Sequence, residues 1–246
     1  SGLGMLGMDP APLIGVLRDS LANKGDAVVG ANIRASDEGL KRAVRGCLQC
    51  GFTLHGGGKP HMLLNANDAI GLGAIGSGCT FYCAYPMTPS TGVMLFLASK
   101  ARECGIVVEQ AEDEISAINM ALGASFAGAR SMTGTSGGGF ALMVEGLSLA
   151  GMTETPIVVL LAQRPGPATG FPTRTEQGDL LFALHGGHGE FPRVVFAPGS
   201  PEQAFCLTSK AFDLSQKYQI PVLILTDQYL ADSQWTYDSF DMKGLR

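Results

Sequence analysis

The sequence predicts an α/β protein: a three-layer arrangement in which a parallel sheet carries helices on both faces. Three observations lead there. From residue 80 onward, apolar runs of strand length alternate with longer stretches rich in small residues, the pattern of successive βαβ units. The runs are apolar throughout instead of alternating with polar residues, as strands are when both sheet faces are covered. Apolar residues make up 46% of the 246 and charged residues only 16%, against a usual charged share of ~25%. Such a chain can bury a large core and is not disordered.

The elements follow in order. Residues 1–50 read as mostly helical: Pro10 and Pro12 can open a helix, and Leu13, Ile14, Leu17 and Leu21 recur at helical spacing. A second periodic stretch runs from Asp37 through Val44 to Leu48. The run Gly56-Gly57-Gly58-Lys59-Pro60 reads as a linker. Strands are predicted at Thr80–Ala84, Ile106–Val108, Ile157–Leu161, Val194–Ala197 and Val222–Leu225, with a shorter one near Arg130–Gly134. Helices are predicted at Pro89–Arg102, Asp113–Ala127, Phe140–Gly151 and Pro201–Gln216.

Composition also excludes several classes. The net charge is −5 and no basic run is present, which argues against nucleic acid as a partner. The strongest apolar run, Ile157–Ala162, is strand-sized and far short of the ~20 residues a membrane helix needs. The first ten residues hold no basic segment of the kind that opens a secretory signal. Six cysteines are too few for a disulfide scaffold and point to a reducing, cytoplasmic compartment. Cys47 and Cys50 form a lone CxxC; with His55 and His61 they could hold a metal, and otherwise they are ordinary small apolar residues. No metal site is predicted. The chain lacks an initiator Met, and the expectation is an excised piece of a longer protein.

In parallel sheets the active edge lies at the carboxyl ends of the strands, so motifs that follow strands matter most. Tyr85-Pro86-Met87-Thr88-Pro89-Ser90-Thr91 offers hydroxyls where a helix opens, suited to an anion, or is simply a proline-fixed, hydroxyl-capped turn. Glu112, Asp113 and Glu114 open a helix, where the macrodipole favours acids; Glu114 differs in preceding the small face of Ala117, Ala121 and Ala124, where a buried carboxyl would have a perturbed pKa. Thr133-Gly134-Thr135-Ser136-Gly137-Gly138-Gly139-Phe140 lets a ligand approach the main chain. Ser136 lacks the GxSxG setting of a nucleophile, and the loop lacks the phosphate-loop pattern. Arg164, among prolines and glycines, can hold a carboxylate bidentately or be a solvated loop residue. His185 and His188 sit in a Gly-rich turn with Glu190 as the one local co-ligand.

Taken together, YPMTPST, EDEISAI, TSGGGF and QRPGPATGFPT resemble the α subunit of the 2-oxoacid:ferredoxin oxidoreductases, of the type whose α chain carries a fused γ domain. The resemblance implies a thiamine diphosphate-binding fold of the pyrimidine type. On that reading residues 1–55 are the tail of the γ domain, 56–64 a Gly-rich linker, 65–235 the pyrimidine-binding domain, and 236–246 the start of a linker to a further domain. Glu114 aligns with the glutamate that hydrogen-bonds N1′ of the thiamine aminopyrimidine. Thr88, Arg164 and Thr173 match substrate-facing residues, Arg164 pairing with the substrate carboxylate. Pro86, Ser136, Gly137, Gly138 and Phe140 would line the cofactor. Met87 for the commoner Ile, and Pro165 after Arg164, depart from the pattern and could reshape the pocket.

The resemblance further implies oxidative decarboxylation of a 2-oxoacid, 2-oxoglutarate or a branched-chain acid by analogy, to an acyl-CoA with electrons passed to ferredoxin. No GDG…N pattern and no [4Fe–4S] cysteine set is present, so Mg²⁺ and the cluster are expected on a separate β subunit. Thiamine diphosphate would then be shared with that subunit, α chains would pair as homodimers, and membranes would play no part. Two other readings stay open: a non-catalytic assembly domain that keeps the fold, and a hydrolase using Ser136.

Overall fold

A computed structural model describes residues 2–46, 58–59 and 61–242. Cys47, Cys50 and His55 lie outside the described residues. Contacts divide the chain into two units, Ser1–Pro60 and His61–Arg246. The first is helical: α1 (Gly2–Met5), α2 (Ala11–Leu21), a short 3-10 turn (Ala22–Lys24) and α3 (Asp26–Gly46). Pro12 stands in the first turn of α2, and the Asp9 carboxylate accepts from the Ala11 amide at 2.9 Å. Among the described residues of this unit only Ala43 is buried.

The second unit runs β1 (Met62–Leu64), α4 (Ala66–Gly76), β2 (Phe81–Ala84), α5 (Thr91–Cys104), β3 (Val107–Gln110), α6 (Glu114–Phe126), β4 (Ser131–Thr135), α7 (Gly137–Met152), β5 (Ile157–Gln163) and α8 (Leu180–His185). It continues with β6 (Val194–Phe196), α9 (Pro201–Tyr218), β7 (Pro221–Asp227), α10 (Gln228–Asp232) and β8 (Trp235–Tyr237). Six strands pair in parallel in the order β3-β2-β4-β5-β7-β6. β1 and β8 form a separate antiparallel ribbon.

The sheet is buried on both faces, which is why its strands are apolar without interruption. Alternate residues of β5 and β7 point to opposite sides. Val158, Leu160 and Ile224 pack with Ile70 of α4, Leu97 of α5, Phe205 of α9 and Leu230 of α10. Val159, Leu161 and Leu223 pack with Ile118 of α6, Phe140 and Leu147 of α7 and Ala183 of α8. The result is the predicted α/β three-layer fold.

Five elements of this unit were not foreseen: α4, the short helices α8 and α10, and the ribbon strands β1 and β8. Past its first turn α4 is built of small and apolar residues, and seven of its eleven residues are buried, so it shows no amphipathic period to read. A capping box starts it: Asn65 Oδ1 accepts from the Asp68 amide at 2.9 Å, and the Asp68 carboxylate accepts from the Asn65 amide. Asn65→Ala should therefore lower stability by about 1 kcal/mol, read as a shift in the urea midpoint. The ribbon strands β1 and β8 are each three residues long, too short for periodicity. α7 also begins at Gly137, three residues ahead of the expected start.

Topology places the active edge. β2 and β4 are neighbours, but the chain leaves β2 for α5 on one face and leaves β4 for α7 on the other. Such a parting opens a crevice at the carboxyl ends of the two strands.

Candidate active site

Glu114 is the first residue of α6, immediately after Asp113, whose carboxylate caps the helix by accepting from the Ser116 amide at 2.6 Å. The cap fixes the direction in which Glu114 leaves the backbone. Its side chain is buried, 3% exposed, and Oε1 has no hydrogen-bond partner. Burial pushes its carboxyl above the ordinary glutamate value; nearby Asp113 adds to this, while its own backbone amide and the positive charge of Arg164 oppose it. A buried carboxyl with one oxygen unsatisfied is costly unless something donates to it or it keeps its proton.

The three glycines that open α7 each permit one close approach. A side chain at Gly137 would meet the Asp179 carboxylate, its Cβ lying 2.6 Å from Oδ2. One at Gly138 would stand 2.8 Å from the Ala168 carbonyl. One at Gly139 would fall 2.0 Å from Thr135 Oγ1 and 2.4 Å from Glu114 Oε1. The glycines thus draw the Arg164 loop, the end of β4 and Glu114 around a single helix start. The helix tolerates the glycines because tertiary packing outweighs their low propensity.

Arg164, 8% exposed, ties two loops together. Its Nη1 donates to the Thr88 carbonyl at 2.6 Å and its Nη2 to the Thr169 carbonyl at 2.8 Å. The Thr88 turn is held from below as well, by Asn67 Nδ2 on the Pro89 carbonyl and Ser90 Oγ on the Met87 carbonyl. Gly170, at φ +60°, lets the Arg164 loop fold back so tightly that a Cβ there would sit 1.7 Å from the Pro165 carbonyl.

The structure therefore brings together Glu114, Gly137, Gly138, Thr88 and Arg164. Pro86 lies half-buried in the turn after β2. Thr173 stands exposed on the Arg164 loop. Phe140 is buried in the second core, edge-on to Phe182 at 4.9 Å, so its ring anchors the first turn of α7. Ser136 Oγ is buried with no hydrogen-bond partner, and no base activates it among the described residues. Gly139 was read only as part of the glycine loop that admits a ligand to the main chain, and Thr135, Asp179, Gln163 and Asp227 were given no role from sequence. Gln163 and Asp227 carried a signal, since each is a polar residue closing an apolar strand at the active edge. Among the described residues no three His, Cys, Asp or Glu cluster as a metal site, and no helix is long and apolar enough to cross a membrane.

A buried helix-start carboxyl facing glycine backbone at the switch point of a parallel sheet suits a flat, hydrogen-bonding cofactor ring. Comparison with known proteins gives the class. The model for pyruvate flavodoxin/ferredoxin oxidoreductase, thiamine diphosphate-binding, matches residues 72–243. A 2-oxoacid:ferredoxin oxidoreductase α subunit from Saccharolobus solfataricus is 48% identical over 182 residues, 69% of this chain and 29% of the relative. A 2-oxoglutarate synthase subunit KorA from Archaeoglobus fulgidus is 44% identical over 166 residues, 68% of this chain and 48% of the relative. A solved 2-oxoglutarate:ferredoxin oxidoreductase from Magnetococcus marinus, with 2-oxoglutarate, coenzyme A and succinyl-CoA bound, superposes with a TM-score of 0.85 at 39% identity, over 99% of this chain and 46% of that one. The chain belongs to the 2-oxoacid:ferredoxin oxidoreductase α-subunit family, through its thiamine diphosphate pyrimidine-binding domain. It spans less than half the length of each of these relatives.

Proposed function

We propose that this chain supplies the pyrimidine half of a thiamine diphosphate site in an enzyme that oxidatively decarboxylates a 2-oxoacid to an acyl-CoA and passes the electrons to ferredoxin. The observation that carries the reading is the buried Glu114 carboxyl with its unpartnered Oε1, closed over by a glycine. The donor set fits the cofactor. An aminopyrimidine ring offers the nitrogen that Oε1 lacks, and the glycines leave room for close main-chain contact. When bound, thiamine diphosphate supplies the electron sink that cleavage beside a carbonyl needs.

The residues of the chain then divide the work. Glu114, whose carboxyl burial raises above the ordinary glutamate value, is the group that holds and exchanges a proton at Oε1. Arg164 spends two of its five N–H donors on the Thr88 and Thr169 carbonyls and keeps three for a substrate carboxylate. Thr88 and Thr173 complete the substrate side; Pro86, Ser136, Gly137, Gly138 and Phe140 shape the cofactor side. The names of the relatives favour 2-oxoglutarate over a branched-chain acid. The proposal includes a β subunit bearing Mg²⁺ and the [4Fe–4S] cluster, pairing of α chains, a cytoplasmic location, and residues 1–55, 56–64, 65–235 and 236–246 as γ tail, linker, pyrimidine domain and onward linker.

The test is a panel of 2-oxoacids assayed with coenzyme A and ferredoxin on the assembled subunits. Substrate-dependent ferredoxin reduction is expected. Subunit assembly with no reduction for any acid would favour a non-catalytic assembly domain instead. Arg164→Lys cannot reach both carbonyls and a carboxylate, so KM for the acid should rise about 10–100-fold, the worth of one or two charge-assisted hydrogen bonds, with a smaller change in kcat.

A further inference from the structure

A second crevice opens at the same edge of the sheet, away from Glu114. β5 and β7 pair along their whole length, from Ile157↔Pro221 to Gln163↔Asp227, yet the chain leaves them on opposite faces. From β5 it passes to α8, whose Ala183 lies in the same core cluster as Phe140, and from β7 into α10, which packs against α4 in the opposite cluster. This repeats the parting seen between β2 and β4, the arrangement that creates ligand sites in parallel sheets. Here it encloses a cavity of about 330 Å³, within the ~300–1,000 Å³ range of small-molecule sites.

The lining has a definite chemistry. Leu180, Leu225, Leu230 and Pro198 supply apolar walls, and Gln163, Gln177, Thr226 and Asp227 supply the polar edge. No Lys, Arg or His is among the lining residues and Asp227 stands at the polar edge, so the crevice offers no cationic side chain to a phosphate. Asp227 accepts from the Leu230 amide at 2.8 Å and from Gln177 Nε2 at 2.5 Å, which leaves about two of its four acceptor positions free. Gln163 donates to the Thr226 carbonyl and accepts from the Asp179 amide, keeping one N–H. Gln177 keeps one N–H and its carbonyl oxygen, the pair with which a glutamine reads the amino edge of adenine.

We infer that this crevice binds an uncharged amino heterocycle of the adenine class. The ring lies between the leucines, its amino edge faces Asp227 and Gln177, and any attached phosphate remains outside in solvent. A free adenine nucleotide and an adenosine-bearing coenzyme share that chemistry. The inference uses none of the residues assigned to the cofactor or the 2-oxoacid, so it stands or falls separately from the proposed reaction.

Saturation-transfer NMR and equilibrium dialysis on the assembled protein, with adenosine, ATP, coenzyme A and inorganic phosphate as probes, test it. Adenosine should bind saturably and inorganic phosphate should not compete. Leu180→Trp, at a position 49% exposed and so free to change without disturbing the core, should fill the crevice and weaken adenosine at least tenfold. Equal binding of adenosine, ATP and coenzyme A supports recognition of the base alone; tighter binding of one of the larger probes identifies the source. Absence of adenosine binding, binding that survives Leu180→Trp unchanged, or binding of ATP without adenosine would each overturn the inference.

Discussion

The Glu114→Gln protein is expected to assemble normally, to unfold at higher denaturant at neutral pH than the parent, and to lose turnover by about 10²–10⁴-fold, the usual worth of a positioned proton-transfer group. The two effects have one cause. Burial raises the Glu114 carboxyl above its unfolded value, so between the two pKa values the native state binds more protons than the unfolded chain. Stability then falls as pH rises from the unfolded glutamate value through the raised one, and stays lowered above it. Glutamine has the same shape and no charge to desolvate, so that fall should flatten in the variant. Urea midpoints across the acidic-to-neutral range measure the first effect, and the ferredoxin assay the second. Near-normal turnover would sink the role given to Glu114, and an unchanged pH slope would sink the burial argument.

The second large effect should come from a single methyl group. Gly139→Ala would place its Cβ 2.0 Å from Thr135 Oγ1 and 2.4 Å from Glu114 Oε1, closer than any real Cβ contact. Neither neighbour has an easy retreat, since Thr135 is buried at the end of β4 and Glu114 is held by the α6 cap. The expected cost is about 1–3 kcal/mol of stability, as for other overpacked sites, together with most of the activity, because the carboxyl must rotate away. Alanine at Gly76, where a Cβ meets nothing within 4 Å, is the control and should leave activity unchanged. Full activity in Gly139→Ala would show that the glycine is not needed for the approach.

Much of this architecture is legible in the amino-acid sequence. The central strands announced themselves because double-sided burial demands unbroken apolar runs, as Ile157–Leu161 and Val222–Leu225 show. The helices following them were legible as longer, small-residue-rich stretches between the apolar runs, and at Asp113 by the acids that open α6; the caps at Asp113 and Ser200 are seen only in the structure. α4 hid because past its first turn it is small and apolar without a polar face, and the start of α7 hid because three glycines look like loop. That choice was tertiary: the glycines are there for Asp179, Ala168 and Glu114 to approach. The motif residues Glu114, Thr88 and Arg164 were readable, but their relation was not. Sequence offers no sign that the Arg164 guanidinium grips the Thr88 carbonyl across 76 positions, or that Gly139 seals Glu114. Strand order decides both, and strand order is a property of the folded sheet.

The β1–β8 ribbon has one more consequence. It joins Met62–Leu64 to Trp235–Tyr237, with Leu64 opposite Trp235, and Phe240 just beyond stacks on Phe205. The chain thus enters and leaves the second unit through adjoining doors. A module with that property can be moved as a cassette, spliced between different neighbours or reordered along a polypeptide, without threading new chain through its core. Gene fusion and fission around such a piece leave its interior untouched, and engineered transplantation of it should cut at the ribbon.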